Sequence, residues 1–211
     1  VFVVVETAFS RGIAPVSAKT LLELAGAAAP APRLSDCAIV VIDAQREYVD
    51  GRLPLVGVGA ALDEIGRLLA RARAARTPII HVVHNGAGLF APGSPGAEIV
   101  AVADPAPGEP VLIKKLPNAF ASTDLADRVT ALKRDRIVLV GFMTHMCVEA
   151  TARAAIDLAL KAAVVAAATA TRDLPDPIGG GVVPAAEVQR NALAAMNDRF
   201  AAIVAREAEI V

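Results

Sequence analysis

At 211 residues, 55% hydrophobic and 20% charged, the chain has the length of one domain and the apolar content for a large core, which excludes a disordered protein. Lys and Arg total 21 against 22 for Asp and Glu, a balance with no electrostatic footprint for nucleic acid or an anionic membrane. One Tyr and six Phe leave little for a base-stacking platform, so a small, roughly neutral metabolite is the favoured partner.

The opening run Val1–Val5 lacks the basic flank and length of a signal peptide, and without an initiating Met the numbering is expected to start inside a longer chain or after processing. A helix is expected near Ser17 to Ala28, followed by a linker at Pro30 and Pro32, so residues 1–33 are read as helix and linker and 34–211 as the main domain. Ala38 to Ile42 is a continuous apolar run ending at Asp43, the pattern of a strand buried on both faces. From about Ala60 to Ala75, Leu62, Ile65, Leu68 and Leu69 fall at helical spacing. Pro78 to Val83 is the next strand. A Gly/Pro-rich stretch from Asn85 to Pro110 follows, and loops of that length in a compact domain are usually functional.

Val111 to Ile113 is a short strand ending at Lys114 and Lys115. Ser122 or Thr123 can cap a helix carrying Leu125, Val129 and Leu132. Arg136 to Gly141 is the clearest strand, and a helix is expected from about Met146 to Leu160. Ala162 to Ala168 is another strand, Thr169 to Val183 a second Gly/Pro-rich loop, Pro184 to Asp198 a last helix, and Ala201 to Val204 an edge strand. This alternation demands a mostly parallel sheet covered on both sides, with ligands beyond the carboxyl ends of its strands. Chemistry is therefore expected at Asp43, His84, Lys114 and just after Gly141.

Cys37 and Cys147 are far apart, form no metal-spaced cluster and make no disulfide scaffold, so a reducing cytoplasm is expected. The longest apolar runs, such as Ala162 to Ala168, are far short of the ~20 residues of a membrane span. Cys147 follows a buried strand where a helix begins. A thiol in a helix's first turn meets unpaired N–H groups and the positive dipole end, which lower its pKa, and the same N–H groups can bind an oxyanion. It is thus either a nucleophile or a buried structural cysteine. Asp43 ends an apolar strand and needs a cation or donors, which Lys114 of the same sheet can supply. Together they either shuttle a proton from Cys147 or form a structural ion pair. Lys115 is expected to point the other way and be solvated.

The segments Ile42-Asp43-Ala-Gln45, Lys114 through Phe120 to Leu125, and Gly141 through Cys147 to Thr151 together closely resemble the isochorismatase-like hydrolase superfamily, in order, from about Leu34 to the C-terminus. The resemblance implies an α/β fold: a three-layer, doubly wound sheet of about six parallel strands with helices on both faces. It implies a catalytic triad of Asp43, Lys114 and Cys147, Lys114 being chosen over Lys115 because it stands six residues before Phe120. It also implies a non-proline cis peptide at Phe142–Met143, an oxyanion hole from the N–H groups of Met143 and Cys147, and Gln45, Tyr48, Asn118 and Phe120 supporting or lining the substrate pocket.

Two departures narrow the family. Nicotinamidases in it hold a metal with an Asp-x-His pair, whereas this chain reads His81-Val-Val-His84-Asn85-Gly86. Three residues apart on a strand, His81 and His84 face opposite ways, so His81 is assigned to the core and His84 to the pocket, with no metal and no other cofactor expected. His145 is read as a turn residue. The true isochorismatases lack the cysteine and cleave a vinyl ether by acid catalysis, so Cys147 argues for attack on a carbonyl. Relatives also carry an acid where this chain has Ala166, and its loss is expected to loosen the loop that follows. The expected function is hydrolysis of an amide-type C–N bond of a small molecule through a thioester at Cys147. Its alternatives are vinyl-ether hydrolysis with Asp43 as acid, or a non-catalytic binder. Relatives imply a homodimer or homotetramer. The Asn85–Pro110 and Thr169–Val183 loops are expected to make a mostly apolar pocket with few charged handles.

Overall fold

Runs of small and β-branched apolar residues form the strands of one sheet in the computed structural model, which describes residues 18–27 and 30–211. In chain order the strands are β1 (Cys37–Ile42), β2 (Ile79–His84), β3 (Val111–Lys114), β4 (Arg136–Phe142), β5 (Lys161–Ala170), β6 (Leu174–Pro175), β7 (Val182–Val183) and β8 (Ala201–Val204). The helices are α1 (Leu21–Leu24), α2 (Val58–Ala74), α3 (Leu125–Ala131), α4 (Glu149–Asp157) and α5 (Ala185–Arg199). Six strands pair in parallel in the order β3-β2-β1-β4-β5-β8, the doubly wound α/β fold. Strands β6 and β7 form a small antiparallel hairpin within the second loop.

The central strand β1 is buried at every position, which is why its sequence shows no polar alternation. Its side chains alternate between two cores. Ile39 and Val41 join Ile65, Leu68 and Leu69 of α2, while Val40 and Ile42 join Val129 of α3, Ala152 of α4 and Met196 of α5. Helices therefore cover both faces. The winding reverses between β1 and β4, and it is at such a switch point that the strand ends open a crevice.

Several boundaries differ from expectation for identifiable reasons. The N-terminal helix is one turn, held by a capping box between Thr20 and Glu23 and ended by Gly26, whose φ of 63° cannot continue a helix. Leu21 N–H donates to Asp198 of α5 (2.8 Å). Residues Val1–Val5, Ser17 and Ala28 lie outside the described residues. The helix expected from Met146 begins only at Glu149, because residues Thr144–Val148 wind as a π-helical turn. Thr123 rather than Ser122 assists α3, its Oγ1 accepting from Leu125 N–H at 3.2 Å, while Ser122 sits at a φ of 62°.

Strand β5 runs two residues past its expected end, and between Leu139 and Gly141 of β4 its register jumps from Val164 to Thr169. Ala166, at the position of the absent acid, lies within β5. Thr169 Oγ1 donates to the Ala166 carbonyl (2.9 Å) and accepts from Gln189 Nε2 of α5 (2.9 Å). Among the described residues no helix is long and apolar enough to cross a membrane.

Candidate active site

Four adjacent strands end in polar residues on one edge of the sheet. In spatial order they present Lys114 (β3), His84 (β2), Asp43 (after β1) and the Phe142–Cys147 turn (after β4). Lys114 is the register partner of His84, and Ile42, just before Asp43, is the partner of Gly141. The pleat decides between the two lysines. Strand β3 alternates exposed and buried, so Lys114 points inward and is fully buried, while Lys115 is exposed.

Asp43 turns its side chain into the same space from a left-handed backbone, φ 49°, a conformation that aspartate tolerates better than most residues. Lys114 Nζ lies 2.7 Å from Asp43 Oδ2, an ion pair with both side chains fully buried. Asp43 Oδ2 faces the Lys114 ammonium, and the acceptor capacity left on the carboxylate is what could take a proton. Burial pushes the Asp43 carboxyl above the usual range, and the Lys114 charge opposes that rise.

Beyond Gly141 the peptide Phe142–Met143 is cis. The Met143 carbonyl then accepts from Met146 N–H (3.0 Å) and Val148 N–H (3.3 Å), bypassing the Cys147 N–H between them. This turn carries the Cys147 thiol inward, 6% exposed, with Lys114 Nζ donating to its sulfur at 3.3 Å. The expected depressed thiol pKa is not what this environment produces. Burial, and secondly the Asp43 charge, push the Cys147 thiol up to about 12, against the pull of Lys114. The helix-end argument fails because Cys147 sits in a buried π-helical turn rather than at the solvated start of an α-helix. Cys147 therefore rests as the neutral thiol. Cys37, fully buried at the other end of β1, is likewise pushed up to about 12 by burial.

The second and third sequence segments meet at Thr151. Its hydroxyl donates to the Cys147 carbonyl (2.7 Å) and accepts from Ala119 N–H (3.0 Å), tying the Asn118–Phe120 turn to the base of the nucleophile turn. Asn118 Oδ1 accepts from Phe120 N–H (2.9 Å), and the Phe120 side chain packs against the core that contains Cys147. Tyr48, nearly buried, stacks edge-on to Phe142 and Phe90 at 5.9 and 5.0 Å. Burial, and then the Asp43 charge, raise its phenol.

Gln45 supports the site rather than lining it. Its Oε1 accepts from His84 N–H (2.8 Å), and its Nε2 donates to the carbonyls of His84 (3.1 Å) and Ala97 (2.9 Å). The fully buried amide is thereby spent on fastening the β2 end to the long loop. His81 is a core residue, its Nε2 3.0 Å from Glu109, while the half-buried His84 faces Lys114. His145 Nδ1 pairs with Thr171 Oγ1 at 2.5 Å.

Three contributors escape a reading of local pattern. Phe90, from the Gly/Pro-rich loop, packs on both Tyr48 and His84. Gln189 of α5 accepts from Thr144 Oγ1 at 2.6 Å and so anchors the nucleophile turn. Arg172, whose Nε is buried without a hydrogen-bond partner, adds its charge to burial, the larger cause, in lowering the His145 pKa. None of the three sits in a periodic or motif position that would single it out.

Comparison with known proteins gives the family and the fold. Residues 37–208 match the isochorismatase domain family. The secreted isochorismatase effector Isc1 of Verticillium dahliae is 39% identical over 172 residues, covering 80% of this chain and 87% of that protein. The maleamate amidohydrolase of Pseudomonas putida is 30% identical over 147 residues, covering 61% and 69% respectively. The crystal structure of an isochorismatase from Pseudomonas putida superposes with a TM-score of 0.88 at 38% identity, covering 92% of this chain and all of that one.

Proposed function

The chain belongs to the isochorismatase family and is a hydrolase, and on that premise we propose that it cleaves an amide-type C–N bond of a small metabolite through a thioester at Cys147. One observation carries the reading: a retained thiol 3.3 Å from the ammonium of Lys114, which is itself paired at 2.7 Å with the Asp43 carboxylate. The similarity to an amidohydrolase points the same way.

A thiol that rests protonated must lose its proton during attack. Asp43 takes the Sγ proton as sulfur bonds to the carbonyl carbon, and the oxygen becomes an oxyanion facing the Met143 and Cys147 N–H groups. Collapse breaks the C–N bond, and Asp43 returns the proton to the leaving nitrogen. A water then gives its proton to Asp43 as its oxygen attacks the thioester, the C–S bond breaks, and sulfur recovers the proton. Lys114 stays charged throughout and offsets the negative charge that moves among Asp43, sulfur and oxygen. Tyr48, His84, Asn118 and Phe120 bound the substrate space. A reducing compartment suits a site whose sulfur must stay a thiol. Exposed Val111, Ile113 and Leu116 along and just past the β3 edge support assembly into a homodimer or homotetramer, which light scattering would resolve.

A second reading rests on the raised Asp43 carboxyl and on relatives described as isochorismatases. In it Asp43 is the acid that protonates a vinyl ether, and Cys147 is a bystander. Intact-mass analysis after incubation with a mixed amide, imide and ester panel tests the first reading, which expects an acyl adduct on Cys147 and loss of turnover in Cys147→Ala. Full turnover in that variant would instead establish the second. Absence of both adduct and turnover would favour a non-catalytic binder.

A further inference from the structure

A lysine ammonium has three N–H donors and no acceptor, so a fully buried one needs three acceptors if none is to be wasted. Lys114 Nζ has Asp43 Oδ2 at 2.7 Å and Cys147 Sγ at 3.3 Å. The remaining neighbour is His84 Nδ1 at 3.4 Å, on the adjacent strand. We propose that His84 is a positioning residue of the site, its unprotonated Nδ1 accepting the third hydrogen of the Lys114 ammonium and so fixing the charge between Asp43 and Cys147. The inference rests on the reading that Lys114 serves the Cys147 thiol.

The backbone that carries the imidazole is itself held, and the ring packs on a neighbour. Gln45 grips the His84 N–H and carbonyl at 2.8 and 3.1 Å, and the ring stands edge-on to Phe90 with centroids 5.5 Å apart. The role fixes the tautomer, since Nδ1 must carry the lone pair and Nε2 the hydrogen. It also fixes the charge, because a protonated ring would point an N–H at the ammonium. Burial and then the Lys114 charge hold the His84 pKa below its usual value, in keeping with a neutral ring at pH 7. Lys114 of β3 is the charged group facing this ring, with Asp43 beyond the ammonium. A ring that only lined the pocket would have no need of a defined Nδ1 lone pair.

The test requires no known substrate. Alkylation of Cys147 by iodoacetamide at pH 8 is followed by intact mass and peptide mapping, with the fully buried Cys37 as an internal reporter of folding. The asparagine carbonyl in His84→Asn can stand in for Nδ1, so this variant is expected to label within about twofold of the wild type. His84→Ala is expected to label about tenfold more slowly, the scale of one lost hydrogen bond to a charged group. Equal rates in His84→Ala and the wild type, or an Asn variant as slow as Ala, would overturn the proposal. If His84→Ala exposes Cys37, the wild-type imidazole nitrogen shifts decide alone: the Nε2–H tautomer is expected near pH 7, and an Nδ1–H tautomer or a charged ring sinks the idea. Wild-type Cys147 labelling no faster than Cys37 would instead count against the nucleophile reading, and the nitrogen shifts would still judge the role of His84.

Discussion

A side-chain carbon added at Gly141 would stand 1.9 Å from the carbonyl oxygen of Ile42. Gly141 also has a φ of 111°, which side-chain-bearing residues rarely adopt. The two residues are register partners where β1 hands over to Asp43 and β4 to the nucleophile turn. Gly141→Ala is therefore expected to lose more than about 2 kcal/mol of stability, from strain and clash together. Urea melts of the purified variant check this, and a change below about 0.5 kcal/mol would refute it.

Removing the cation from the buried pair should make stability depend on pH in a specific direction. In Lys114→Met the Asp43 carboxyl, already raised by burial, loses the charge that opposed the rise. The folded state then holds a proton that the unfolded state releases above its ordinary carboxyl range of about 4. Fewer protons bound when unfolded means that stability falls as pH rises, so this variant should be most stable near pH 4 and weaken towards pH 7. Thermal melts across that window would show a flat or opposite trend if Asp43 stayed ionised.

The opposite sign holds at the far end of β2. Glu109 receives two hydrogen bonds from Arg73 and one from Ala106 N–H, and it pairs with His81. Arg73 foremost holds its pKa at about 2. A carboxyl lowered on folding contributes stability above its unfolded pKa, and that contribution drains away as pH falls from about 4.5 towards 2. Glu109→Gln should be less stable than the wild type at pH 7 and should lose less on acidification. Parallel acid melts of the two proteins would contradict this.

The clamp made by Gln45 should be strict about charge as well as shape. Gln45→Glu keeps an acceptor for His84 N–H but sets a carboxylate oxygen against the carbonyls of His84 and Ala97. It is expected to cost about 1–3 kcal/mol, comparable with Gln45→Ala, which leaves those groups unpaired. Hydrogen exchange at the His84 amide and denaturant melts test this together. A Glu variant as stable as wild type would mean that the amide nitrogen contributes nothing.

What could be seen from sequence tracks how local the cause is. Strands β1 to β3 end at or just before Asp43, His84 and Lys114, because a buried parallel sheet tolerates polarity best at its strand ends. That pattern brought Asp43, Lys114 and His84 to attention, and the pleat of four residues separated Lys114 from Lys115. The π-helical turn was hidden because Thr144 and His145 look like an ordinary helix start. The turn depends on carbonyl sharing at Met143 and on Gln189, which comes from 45 positions further along the chain. The direction of the Cys147 pKa was hidden for the same reason: burial by distant segments and proximity to Asp43 outweigh the local helix-end field. Gln45 was recognisable as belonging to the site, but its partners at His84 and Ala97 require two loops to be folded first.

The protonated, enclosed sulfur has a consequence for how the protein fares between turnovers. Peroxide and other electrophiles react with thiolates, and burial holds Cys147 at rest mainly as the thiol. Unlike a cysteine kept permanently ionised, this one reacts slowly until a bound molecule presents an acceptor to the sulfur and lets Asp43 take its proton. Reactivity is thus raised by occupancy, and the empty protein should outlast oxidative insult that would silence a more eager nucleophile.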